Sequence, residues 1–166
     1  NAYFYIQAFV TEFGVIFLPA LIYLLARKMP IREVVRLNPL KWSQFLIVVA
    51  LALTGYVVII FFNYIWIWIL SSLGGKVSAP PIPVAENGLD LLVNILVIAG
   101  TAAFAEEFLF RGVILRGYER FGHKKAIVFS GILFGILHMQ TQSFFATIFL
   151  GILIGYLVYK TNSILA

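Results

Sequence analysis

The sequence predicts an all-α fold, a polytopic transmembrane helical bundle with about five spans present and a sixth cut off. Three observations carry that expectation. Apolar residues make up 62% of the 166 and charged residues 11%, where soluble domains run near 45–50% and about 25%. Long apolar stretches approach or exceed the roughly 20 residues that a helix needs to cross hydrocarbon. The charges gather between those stretches, as in loops that meet a membrane surface. The net charge of +5 therefore points to the lipid bilayer as partner and not to nucleic acid, since no single polar face collects the basic residues. With no cysteine in the chain, disulfides and thiolate metal sites are excluded.

The first span runs from about Tyr3 to Ala26, with Glu12 inside it and a kink expected at Pro19. The second runs from about Trp42 to Leu70, within a stretch that has no charge between Lys41 and Lys76. The third runs from about Leu89 to beyond Arg111. The fourth, about Ala126 to Met139, is short, and the fifth covers about Phe144 to Tyr159. A sixth is expected to begin at Ile164. Residues 1–88 thus hold two spans, a basic elbow from Met29 to Lys41 and an external loop with Gly74-Gly75 and Pro80-Pro81-Ile82-Pro83. The elbow reads equally as an amphipathic segment on the leaflet or as a solvated loop. Residues 89–166 form the second unit. Ten of the twelve basic residues fall on one side by alternation, so that side is expected to be cytoplasmic and Asn1 external. Gly131 with Gly135, and Gly151 with Gly155, have the spacing that lets helices approach closely in lipid.

The chemistry lies in Glu106-Glu107-Phe108-Leu109-Phe110-Arg111. A charge at mid-membrane costs roughly 2.5–3.5 kcal/mol on an insertion scale, so three within six residues need pairing, neutralisation or water. Glu107 and Arg111, at i and i+4, share a face and can pair. Glu106 points about 100° away and has no partner on its own helix. It is expected to carry a proton or to meet a partner elsewhere, as a general acid or base would. Gly100 and Ala103 share the Glu107 face and Ala99 and Ala102 that of Glu106, a narrow surface expected to press on neighbours. His138 follows Gly131 and Gly135 on one face of the fourth span. With a hairpin turn near Gly122, Glu106 and His138 come to one level, in reach of one water molecule. Glu12 and Asn63 read as interhelical glue, and His123 as a solvated residue of a basic turn.

Glu-Glu-x-x-x-Arg at Glu106, Glu107 and Arg111, followed by Phe-x-x-x-His at Phe134 and His138, resembles the first two motifs of the CPBP intramembrane proteases. This is the CAAX-processing and bacteriocin-processing group, also called the ABI family, related to the type II CAAX prenyl endopeptidases. The resemblance covers roughly Leu89 to Ala166, a CPBP-like catalytic core truncated at its C-terminus. It implies a multi-pass membrane endopeptidase, by the family's usual occurrence in the bacterial cytoplasmic membrane. The implied substrate is a peptide or protein, prenylated proteins included. The implied catalytic residues are Glu106 and His138, which activate water, with Glu107 and Arg111 ordering the site and Phe134 packing beside it. No cofactor is implied. Zinc is not favoured, because the spans offer one histidine and no cysteine, whereas catalytic zinc usually takes three protein ligands. The family's last motif, His-x-x-x-Asn or Asp, is absent, and Lys160 to Ala166 is similar to the lead-in to it, so the chain is expected to stop before the motif. Two other classes remain open: a non-catalytic membrane protein such as a bacteriocin immunity factor or scaffold, and a proton-coupled transporter.

Overall fold

The computed structural model describes residues 2–77 and 83–166, so Asn1 and the Pro80-Pro81-Ile82 part of the expected external loop lie outside the described residues. Among the described residues there is helix and turn and no strand. Helix α1 spans Ala2–Ala26, α2 Ile31–Val34, α3 Trp42–Ser72, α4 Gly88–Phe121, α5 His123–Leu137 and α6 Thr141–Thr161. Four of them, α1, α3, α4 and α6, are long and apolar enough to cross a membrane. The fourth expected span is α5, whose 15 residues rise only about 22 Å, less than the roughly 30 Å of a hydrocarbon core. Residues 164 and 165 lie in a turn after α6.

Two of the long helices are not uniformly α. Wider i→i+5 turns occupy Val10–Phe17 in α1 and both Asn94–Gly100 and Phe108–Leu115 in α4. Such turns are rare and concentrate at functional sites. In α1 they end just before Pro19, which opens the regular stretch Leu18–Ala26. A proline cannot donate to the preceding turn, and the helix is continuous through it, Ala2–Ala26.

The spatial order of the helices is not the chain order. Tyr5 donates to Asn94 Oδ1 at 2.8 Å, Phe13 lies 6.0 Å from Phe104, and Phe17 lies 4.8 Å from Phe108 between ring centroids. Rising numbers meet rising numbers, so α1 and α4 run parallel. Gly122, at φ 106, reverses the chain between α4 and α5, a conformation that suits glycine. Helices α5 and α6 are antiparallel and meet through their glycines. A Cβ on Gly151 would sit 2.9 Å from the Gly131 Cα, and one on Gly131 2.8 Å from the Ile152 backbone nitrogen. Helix α3 lies antiparallel on the far flank of α6, where Gly55 faces Leu153 and Trp66 Nε1 donates to the Thr141 carbonyl at 2.8 Å. The helices α1, α4, α5, α6 and α3 therefore follow one another across the bundle. Large apolar side chains project outward along all of α3, which fits lipid as its solvent.

The elbow packs on the bundle through its middle residues. Val34 and Val35 are buried and pack with Ala20, Leu24 and Phe108. Arg36, at φ 58, is buried and its Nη2 donates to both Glu119 carboxylate oxygens at 2.6 Å. Its carbonyl accepts from the Ile164 N–H at 3.1 Å, and Ser163 Oγ donates to the Asn38 carbonyl at 2.5 Å. Apolar side chains from α1 and α4 bury the elbow, and its polar groups tie α4 to the end of α6.

Candidate active site

The site is built on the α4–α5 hairpin. Because Glu107 and Arg111 fall one turn apart, Arg111 Nη1 reaches Glu107 Oε1 at 2.9 Å. The Arg111 side chain is 0% exposed. Its Nη2 donates to the Gly151 carbonyl at 3.3 Å, and its guanidinium lies 4.6 Å from the Phe134 ring centre. A glycine at 151 is what permits α6 to bring a backbone carbonyl this close, because a Cβ there would stand 3.1 Å from the Phe134 Cβ. Arg111 Nε and Glu107 Oε2 have no hydrogen-bond partner among the described residues. The pair is thus held by one ion pair, one carbonyl and an aromatic face.

Glu106 faces the other way. Its Oε1 stands 3.8 Å from His138 Nε2, and the two side chains are 15% and 27% exposed. That distance is too long for a direct hydrogen bond. His138 Nδ1 lies 2.9 Å from the Phe134 carbonyl oxygen. A carbonyl can only accept, so Nδ1 carries the hydrogen and donates. In the neutral ring Nε2 is then the acceptor, turned toward Glu106. Phe134 stands between the two halves of the site, with its ring 4.6 Å from that of His138 and 5.2 Å from that of Phe110. Ser130 Oγ donates to the Phe110 carbonyl at 3.1 Å and fixes the register of the hairpin.

The structure brings together all five residues singled out in the sequence, Glu106, Glu107, Arg111, Phe134 and His138. It also brings Glu12 there, from the wide turns of α1. Glu12 lies within electrostatic range of Glu106 and His138, and its Oε2 is buried without a hydrogen-bond partner among the described residues. Asn63 Oδ1 is likewise buried without a hydrogen-bond partner among the described residues. One signal did point to Glu12: it is the only charge in its span, and an ionisable residue there is a functional candidate by default. The small-residue face of α4 does something other than expected. Ala99, Gly100 and Ala103 are exposed, and Ala103 and Glu107 line a cavity of about 510 Å³ with Phe17, Val35 and Phe108. No helix covers that face, because α1 approaches through the bulky ring of Phe104. His123 stacks on Tyr159 at 4.8 Å.

Among the described residues no three His, Cys, Asp or Glu side chains converge closely enough to hold an ion. Neither a curated protein nor a solved structure matches the chain. A family model does match over residues 88–166, that of the Rce1-like type II CAAX prenyl endopeptidases. The segment carrying Glu106, Glu107, Arg111, Phe134 and His138 lies within that match and is similar to this family of membrane proteases.

Proposed function

We propose that the protein is a glutamate-type intramembrane endopeptidase in which Glu106 and His138 activate the attacking water. The observation that carries this is the 3.8 Å separation of Glu106 Oε1 and His138 Nε2, both side chains being partly exposed. A water placed off the line between them touches both. The Glu106 carboxylate accepts one of its hydrogens and, with Nδ1 committed to the Phe134 carbonyl, Nε2 accepts the other. Both donors of the water are then used, and its lone pairs are free for the peptide carbonyl carbon.

As the new C–O bond forms, the proton passes to Glu106. As the C–N bond breaks, Glu106 returns that proton to the leaving amine, so acid and base are one group in turn. Arg111 is sealed from solvent and touches no substrate. It works through Glu107, holding the α4 backbone that aims Glu106. Substrate is a peptide or protein segment, prenylated chains being the favoured class, cut where it enters the bilayer.

Glu106→Gln keeps the shape and removes the base. Peptide cleavage by the purified protein in lipid is expected to fall by about 10²–10⁴-fold, the usual worth of a positioned acid–base group. The thermal midpoint is expected to stay within a degree or two. Full cleavage by the variant overturns the mechanism and leaves a scaffold or immunity role.

A further inference from the structure

A second feature lies at the basic end of the bundle, away from the candidate site, where the parallel helices α1 and α4 finish side by side. Between them is a groove of about 720 Å³ whose lining includes Tyr23, Arg27, Met29, Ile114, Arg120 and Phe121. A smaller hollow of about 310 Å³ shares Tyr23, Met29, Val113 and Gly117 with it and extends toward the elbow. The larger volume is within the range of about 300–1,000 Å³ of sites that hold a small ligand.

The charges at this end divide into two groups. Arg36 and Arg116 share the Glu119 carboxylate, at 2.6 and 3.0 Å. Arg27 and Arg120, which both line the groove, have no carboxylate partner among the described residues. Arg120 rests over the Phe121 ring at 4.6 Å, a contact that uses the face of the guanidinium and leaves its N–H edge free. The groove thus combines two uncompensated guanidinium groups, two tyrosines and a wall of Met29, Val113 and Ile114. A planar guanidinium matches the oxygens of a phosphate, and an inorganic anion would have no use for the apolar wall.

We propose that this groove binds an anionic phospholipid, with its phosphate between Arg27 and Arg120 and one acyl chain along Met29, Val113 and Ile114. A basic pocket between helix ends at the membrane surface has the right chemistry for an acidic headgroup. The inference is independent of the peptidase reading. Gly117 offers a clean way to block the groove, since a Cβ there meets no heavy atom within 4 Å.

The test is native mass spectrometry of the purified chain in detergent, titrated with short-chain phosphatidylglycerol, with phosphatidylcholine and with inorganic phosphate. Phosphatidylglycerol is expected to bind about tenfold or more tightly than phosphatidylcholine, and phosphate to compete only at far higher concentration. The double variant R27Q/R120Q is expected to lose the preference while circular dichroism shows its helices intact. K124Q/K125Q removes two exposed charges at the same end but outside the groove and is expected to keep it. Gly117→Leu is expected to weaken both lipids. The proposal is overturned if R27Q/R120Q keeps the preference or if K124Q/K125Q loses as much of it. It is equally overturned if phosphate displaces phosphatidylglycerol at equal concentration, which would make this a free-anion site. Should Gly117→Leu fail to fold, the two exposed arginines still decide the matter.

Discussion

Glu106 and Glu107 are adjacent in sequence and sit in opposite circumstances. Glu107 is bonded to an arginine that has no exposed surface, and α6 closes over that arginine with a backbone carbonyl and the Phe134 ring. Glu106 meets a histidine that stops short of it, and both remain in reach of solvent. The difference separates structure from chemistry. A charge paired and sealed inside the protein holds helices in place. A charge facing a partner at 3.8 Å and partly exposed is the one the proposed chemistry uses.

The largest effect is expected from breaking the sealed half. Arg111→Ala leaves Glu107 buried beside a void, and removal of one partner of a buried pair costs about 3–5 kcal/mol. Thermal unfolding in detergent should show a large drop in midpoint. The double variant Glu107→Gln/Arg111→Met removes both charges at similar volume, and it should recover most of that loss. If the double variant is as unstable as the single one, the pair is not what holds this face together.

A smaller effect is expected where the two halves touch. Phe134 lies between Arg111 and His138, and its Cβ faces the bare backbone of Gly151. Gly151→Val would force α5 and α6 apart, at a cost of about 1–3 kcal/mol for overpacking. Because the same shift moves the Phe134 carbonyl that orients His138, cleavage should fall together with the midpoint. Loss of stability with unchanged kcat would show that the halves are independent.

Much of this site was legible because its information is local. An i, i+4 spacing is enough to read the Glu107–Arg111 pair, and equal distances from a turn are enough to level Glu106 with His138. The turn itself was visible because Gly122 has the one residue type at ease at φ 106. What could not be read depends on distant partners or on winding. The Arg36–Glu119 bond joins residues 83 apart, and no spacing rule connects them. Helix α3 is apolar all round, so its pattern names no face and gives no hint that it rests on α6. The wide turns at 10–17, 94–100 and 108–115 have no sequence period of their own. Glu12 was hidden for the same reason, since its place depends on α1 lying parallel to α4.

Glu12 gives the finest test of the contrast between the sealed and the open acid. It lies within electrostatic range of Glu106 and His138, while its own Oε2 has no hydrogen-bond partner among the described residues. Glu12→Gln removes the charge and keeps the volume, and an amide at that buried position has no stronger claim on a partner than the acid had. Stability should barely change, and kcat/KM should fall by about tenfold or less, equivalent to at most about 1.4 kcal/mol of barrier. The comparison with Glu106→Gln is the informative one. If both variants lose activity to the same extent with unchanged helices, the open half contains two acids of equal standing, and the water is shared among three groups. If Glu12→Gln is silent, the wide turn of α1 shapes the cavity and nothing more, and the chemistry rests on the two residues that the α4–α5 hairpin brings face to face.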